Sequence, residues 1–378
     1  MTVATDPSRQ TLPDLRSRNR LLQFDVHGLV TMAVESEAPT ADQLSTMFGA
    51  FRTETITPVP DIEVKGSVAT RPGMSLLEHE LAYDDEAVFM PHAGVQIVHA
   101  GGHWQVQGAG ELLTSVLPVL DLVAVQHGYA MIHAATMEID GIGVAMPAAG
   151  GTGKTSTIAK AMRWPDTAFM GDDWAFVSEQ SELLGYAKPM FIKPHHRPIY
   201  PHLFQGVRKP LVPPLLSGPV SRLTTMVHPA FARRPKLAAF TRRWSPEHRM
   251  VAPSQALQGK RISARAPLGL VVFVERWQGS DVRTFERDAA WMTSRMLGNW
   301  HIEMSRHSRD VLTSLGASGL VSLDEIFARK ASLLRAAMAH CRMALMQVPA
   351  AMSADEASDA IVARLRSLVG ELAAPGAA

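Results

Sequence analysis

The chain of 378 residues has a single cysteine, Cys341. No internal disulfide is available, which suits a reducing cytoplasm, and with no partner thiol Cys341 reads as an ordinary helix residue. Long apolar runs are also missing. The best candidate, Leu112 to Val125, is shorter than the roughly 18 uninterrupted apolar residues of a membrane span and contains Asp121. The opening MTVATDPSRQTLPDLRSRNR has no apolar core of the secretory kind. A cytoplasmic protein with no membrane partner is the expectation.

Acids are scarce in one place. Between Tyr186 and Pro267 there are 15 Lys and Arg against one acid, Glu247, together with 13 of the 25 prolines. That stretch carries a net charge of +14 and the remainder −13, although the whole chain is only +1. A basic, Pro-rich segment inside a globular chain needs a purpose: a lid over a bound ligand, steering of an acidic substrate, or pairing with the acidic remainder. Nucleic-acid binding would use the same cations with Trp244 and several Phe to stack bases. The near-neutral total and the lack of any nucleic-acid module argue against it.

What is present suffices for a core, with 46% hydrophobic and 19% charged residues. Residues 1–20 read as a flexible arm. Residues 21–110 read as a small α+β domain, with strand-like LLQFDVHGLVTMAV, a helix over TADQLSTMFGAF capped by Thr40, and a hairpin turning at Gly101-Gly102. Nothing there has catalytic spacing. Residues 111–378 read as an α/β domain carrying the basic insertion at about 186–267. It opens with a helix containing Pro118, then two strands, YAMIHAATMEI and GIGVAMPA, joined by the tight-turn pair Asp140-Gly141. Near the end, RMALMQVP forms a strand, and Ser353 with Glu356 three positions on caps the closing helix.

The second of those strands runs into PAAGGTGKTS, followed by the helical KTSTIAKAMRW. Strand, glycine-rich turn and helix, in that order, form the context of a phosphate-binding loop, whose pattern is G-x-x-x-x-G-K-[ST]. Here Gly153, Lys154 and Thr155 fit, and Ala148 replaces the first glycine. Backbone N–H groups from Ala149, Gly150, Gly151, Thr152, Gly153, Lys154, Thr155 and Ser156 would converge on phosphate oxygens. Lys154 would place its ammonium against the β- and γ-phosphates, and Thr155 its hydroxyl on Mg²⁺.

Eighteen residues beyond Lys154, a strand ends in Asp172-Asp173. Laid beside the phosphate-loop strand, it would deliver both carboxylates near a γ-phosphate. One acid can take a proton from an attacking hydroxyl while the other holds Mg²⁺, and alternation along a strand points them to opposite faces. A pair serving only the metal is the plainer alternative. His133, in MIHAAT, reads by itself as a packed strand residue. Lys193 and Arg197 are candidate phosphate or substrate contacts. The spacing of His195, His196 and His202 fits no tetrahedral metal pattern.

Taken together, MIHAATMEIDGIGVAMPAAGGTGKTSTIAKAM and FMGDDWAFV resemble HPr kinase/phosphorylase and related bacterial P-loop kinases, which share their nucleotide fold with phosphoenolpyruvate carboxykinase. The resemblance covers roughly residues 131–177. It implies Asp172 as catalytic base toward a serine hydroxyl, Asp173 near the metal and His133 near the phosphates, with Lys154 gripping them. The glycine-rich signature that follows the acid pair in true HPr kinases is absent, so a relative acting on another hydroxyl is expected. The expected activity is ATP- and Mg²⁺-dependent transfer to a serine or threonine of a peptide, an acidic one included, or to a small-molecule alcohol. A nucleotide-dependent binding module and a simple NTPase are the alternatives, and self-association is left open.

Overall fold

Apolar and β-branched residues alternating with polar ones dominate the first third of the chain, and glycine pairs decide where the strands fold back. The structure, a computed structural model, describes residues 20–36, 38–55, 57–68, 73–77, 80–109, 112–193, 196–205 and 249–373. The expected arm before Arg20, Trp244, His195 and most of the basic insertion (206–248) lie outside the described residues. The described helices are α1 (Ala38–Met47), α2 (Leu112–Gln126), α3 (Lys154–Ala161), α4 (Pro253–Ala256), α5 (Ala289–Glu303), α6 (Arg306–Ala317), α7 (Leu323–Ala337) and α8 (Ala354–Ala373). None of them is long and apolar enough to cross a membrane.

The chain divides into two compact units, the first taking the residues up to Val123 together with Ser305–Leu323. Its strands are β1 (Arg20–Val26), β2 (Val30–Ser36), β3 (Arg52–Thr53), β4 (Ile62–Lys65), β5 (Ser75–Leu77), β6 (Leu81–Tyr83), β7 (Ala87–Met90), β8 (Val95–Ala100) and β9 (His103–Gly108). They form one nine-stranded sheet in the order β3-β1-β2-β4-β9-β8-β7-β6-β5. The Gly101-Gly102 turn joins β8 to β9 with φ of +61° and +82°, as its composition requires. The run LLQFDVHGLVTMAV is two strands, because His27 and Gly28 adopt φ of +60° and +73° and turn a hairpin within it. Thr40 lies inside α1, which begins at Ala38, and therefore does not cap it.

The second unit holds Ala124–Met304 and Asp324 onward. Its strands are β10 (Tyr129–Ile139), β11 (Ile142–Pro147), β12 (Thr167–Gly171), β13 (Trp174–Ser178), β14 (Glu182–Gly185), β15 (Met190–Ile192), β16 (Arg249–Val251), β17 (Arg265–Trp277), β18 (Arg283–Glu286) and β19 (Arg342–Pro349). The main sheet runs β11-β10-β13-β14-β17-β19-β18, and β11 also pairs in parallel with β17, so the first five strands close a circuit. This is a mixed α/β architecture. Period-two alternation sends successive residues to opposite faces. Met137, Val144, Met146, Val272 and Val274 pack with α3 and α8, whereas Ala134, Ala145, Val271 and Phe273 pack with α5 and α7. On α8 the buried Ile361, Leu365 and Leu368 recur at helical spacing, each contributing about 1.5–3 kcal/mol by burial. The expected capping box starts this helix, with Ser353 N–H donating to Glu356 Oε2 at 2.9 Å and Glu356 N–H to Ser353 Oγ at 3.2 Å.

Cys341 belongs to the turn before β19 and not to a helix. It is buried, and burial pushes its thiol up to about 12. Several cations of the basic stretch meet acids from elsewhere in this unit: Lys188 with Asp173 at 2.6 Å, Arg261 with Glu138 at 2.8 Å and Arg265 with Glu182 at 3.2 Å.

Candidate functional site

The turn between β11 and α3 is shaped by two glycines. Gly151 has φ +83° and Gly153, the residue capping α3, has φ +109°, conformations that a side chain would strain. Ala148 is different. It is fully buried among the core side chains, forms a parallel bridge with Val274, and needs no left-handed backbone. Its methyl is thus core packing, and the backbone at that position does not require glycine.

Lys154 opens α3 with 8% of its surface exposed and folds back on the loop, donating to Ala148 O at 2.5 Å and Ala149 O at 3.3 Å. Burial lowers its pKa, against the pull of Asp173, Glu303 and Asp172. Thr155, one residue on, donates its hydroxyl to Asp172 at 3.1–3.2 Å. Tyr200 OH donates to Thr155 O at 3.2 Å and tethers the start of the helix from the other side. Ser156 is buried.

The acid pair occupies the corner between β12 and β13. β12 pairs with β10, not with β11, the strand that leads into the glycine-rich turn, so the acids arrive from one strand further away than the sequence suggests. Ala134 N–H donates to Asp173 O at 2.9 Å and pins the corner to β10, beside His133. The two carboxylates then part company. Asp172 is 3% exposed, and burial with the charge of Asp173 pushes it up to about 6. Burial would raise Asp173 too, but His133 and the Lys188 ammonium outweigh it and hold that carboxyl well below its ordinary range. Lys188 Nζ stands 2.6 Å from Asp173 Oδ2, and His133 Nε2 stands 3.6 Å from Asp173 Oδ1.

Two contributors have no motif to announce them. Asn299, on α5, donates Nδ2 to His133 O at 3.1 Å, with His133 Nδ1 3.3 Å away. The backbone contact fixes the amide's orientation, so Nδ1 of the imidazole accepts and Nε2 carries the proton. That N–H is directed toward two acids, Asp173 and Glu303, the latter at 3.9 Å. Glu303, the last residue of α5, accepts the Gly150 N–H at 2.8 Å. A cavity of about 460 Å³ opens beside the loop, between residues 149–152, the end of β17 at 273–276 and one face of α5.

Of the residues expected from the sequence, His133, Lys154, Thr155, Asp172 and Asp173 come together in this one unit. The pairing within them changes: the acid that meets Thr155 is Asp172, and Asp173, expected to share a metal with Thr155, is committed to Lys188 and His133. Lys193 is exposed; its ammonium lies close enough to disfavour protonation of Lys154. Arg197 lies over the Phe204 ring at 5.2 Å. His196 accepts from Lys193 N–H, and His202 contacts Gln255 O. Among the described residues no three His, Cys, Asp or Glu side chains converge as a metal cage.

A magnesium ion does not require such a cage, since it is commonly held by one or two protein oxygens together with substrate phosphates. The Thr155 hydroxyl facing a buried, electrostatically strained carboxylate suits a hard cation of that kind. A scan against protein-family models finds no match, and no curated protein matches the chain. The likeness to HPr-kinase-type enzymes therefore rests on the motif residues alone.

Proposed function

We propose that this chain is an ATP- and Mg²⁺-dependent kinase of the HPr-kinase-like type, a P-loop kinase domain with a small α+β domain before it. The observation that carries the reading is the Thr155 hydroxyl bonded to buried Asp172 at the head of the loop's helix. Phosphoryl transfer asks mainly for positioning and charge neutralisation. The amides of residues 149–156 and the Lys154 ammonium, released from Ala148 O, would hold the β- and γ-phosphates. The Thr155 hydroxyl, with Asp172 beside it, would hold Mg²⁺, which would supply charge neutralisation for those phosphates. Asp172, near 6 in the free protein, is ionised at neutral pH and basic enough to accept the proton of an acceptor hydroxyl. Asp173, locked to Lys188, stays anionic and keeps Asp172 basic. His133 would direct its Nε2–H at phosphate oxygen.

The bond to Thr155 favours a second role for Asp172, as the carboxylate nearest a metal at that hydroxyl. Magnesium titration separates the two. A lost metal ligand raises the Mg²⁺ concentration required, whereas a lost base lowers kcat at saturating Mg²⁺.

The acceptor is a serine or threonine of a peptide, or a small-molecule alcohol, in the cytoplasm. Incubating the protein with labelled ATP and Mg²⁺ in an extract of its native cell, followed by mass spectrometry, should reveal a species heavier by about 80 Da, one phosphoryl group. Full-rate phosphate release with no acceptor present would make it a simple NTPase instead. ATP binding with neither reaction would make it a nucleotide-controlled binding module.

A further inference from the structure

The loop of this structure already holds an anion of its own. Gly150 N–H, one of the amides a phosphate oxygen would take, donates to Glu303 Oε1 at 2.8 Å. The second carboxylate oxygen is 3.9 Å from His133 Nε2 and would lie 3.5 Å from a Cβ placed on Gly150. The same carboxylate favours the charged form of Lys154. One loop amide thus donates to this carboxylate, the His133 imidazole stands 3.9 Å away, and the Lys154 charge is near enough to be influenced by it, and these are the groups that a terminal phosphate would meet.

The position of Glu303 is unusual for an acid. It ends α5, where the helix dipole presents its negative pole and repels a carboxylate. Among the described residues no Lys or Arg lies within ion-pair distance of it, and its contacts are with the loop amide and His133. The contact joins residues 153 positions apart.

We propose that Glu303 is an internal anion that occupies the phosphate loop of the free protein and must be displaced when a nucleotide binds. It sets the affinity of the loop by competing with phosphate for Gly150 and His133. The inference rests on the phosphate-binding reading of the loop given above.

The test is calorimetric titration of the wild type, Glu303→Gln and Glu303→Ala with MgATP, inorganic pyrophosphate and adenosine. Glutamine keeps an oxygen for the Gly150 amide but carries no charge. If Glu303 competes with phosphate, the alanine variant binds MgATP and pyrophosphate about tenfold tighter, the worth of one hydrogen bond to a charged group, the glutamine variant binds them tighter by a smaller factor, and adenosine binding is unchanged. Variants that bind both anions no better than the wild type, or worse, overturn the proposal and make Glu303 a structural brace of the loop. Should alanine unfold the protein, the glutamine variant decides. Tighter pyrophosphate binding without any affinity for ATP would uphold the internal anion and sink the kinase reading instead.

Discussion

In the Asp172→Asn variant the carboxyl becomes an amide of nearly the same shape, with an oxygen still able to accept from Thr155. What changes is the charge. Asp172 is buried beside Asp173 and is pushed up to about 6 from an ordinary value of 3.8. At about 1.4 kcal/mol per pKa unit, holding it ionised at pH 7 costs the folded state up to about 3 kcal/mol. The sign follows from proton counting. Between about pH 4 and 6 the native protein keeps a proton that the unfolded chain has released, so stability falls as pH rises through that window and levels off above it. Asp173, held low, contributes the opposite slope, but only at more acidic pH. Urea unfolding of the metal-free protein, run from pH 4 to pH 8, should therefore show a descent in the wild type that is missing in Asp172→Asn, leaving the variant more stable at pH 8. On the proposed kinase reading, the same variant should lose phosphoryl transfer by orders of magnitude while retaining ATP affinity. Parallel pH curves, or a variant less stable than wild type at pH 8, would refute the argument that Asp172 carries a burial-strained charge.

Three further perturbations test the supports of the site. A Cβ on Gly171 would lie 2.7 Å from Trp174 O and 3.0 Å from Thr136 Oγ1; Gly171→Ala should destabilise by about 2 kcal/mol in urea unfolding and disturb the acid corner that follows. Arg366 binds Asp166 with two hydrogen bonds, at 2.6 and 2.9 Å, and lies over Trp164. Arg366→Lys keeps the charge but loses the fork, at a cost of about 1 kcal/mol. Because the Arg366 hydrogen bonds hold Asp166 at about 2, that difference should be present at neutral pH and fade as pH falls from about 4 toward 2. Lys188→Met removes the cation that lowers both acids, so the acidic limb of the kcat/KM–pH profile should move to higher pH; an unmoved limb would mean Lys188 does not govern the pair.

Local chemistry was readable from the sequence wherever the signal was local. Asp140-Gly141 turns with φ of +49° and +79°, Gly101-Gly102 turns as expected, and the Ser353–Glu356 box starts its helix, because each depends on a few adjacent residues. His27-Gly28 makes the same kind of turn, but with no flanking polar cluster it hid inside an apolar run. The strand–loop–helix unit was legible for the same reason, being continuous in sequence. Glu303, Asn299, Lys188 and Tyr200 were not, since what recruits them is the packing of α5 on β10 and the approach of later segments to α3. A glutamate at a helix end and an asparagine four residues before it carry no periodic mark. The only hint was that an acid at a helix C-terminus is electrostatically out of place.

The acid pair shows how residues picked out together in the sequence can be brought together for a different geometric reason. Adjacent residues on a strand face opposite ways, which would separate the roles of Asp172 and Asp173 by pleat alone. They stand instead at a corner, between two strands that both pair with β10. What separates them is the company each keeps. Asp173 has a lysine at 2.6 Å and an imidazole N–H directed toward it, whereas Asp172 has a neutral hydroxyl and no cation within ion-pair distance among the described residues. Two carboxylates this close cannot both ionise cheaply, so the one with the cation takes the charge and its neighbour holds the proton to higher pH. His133 and Lys188, both in contact with Asp173, thus make the pair unequal. Exchanging Asp173 for Asn should let Asp172 fall back toward its ordinary value, while exchanging Asp172 for Asn should leave Asp173 ionised.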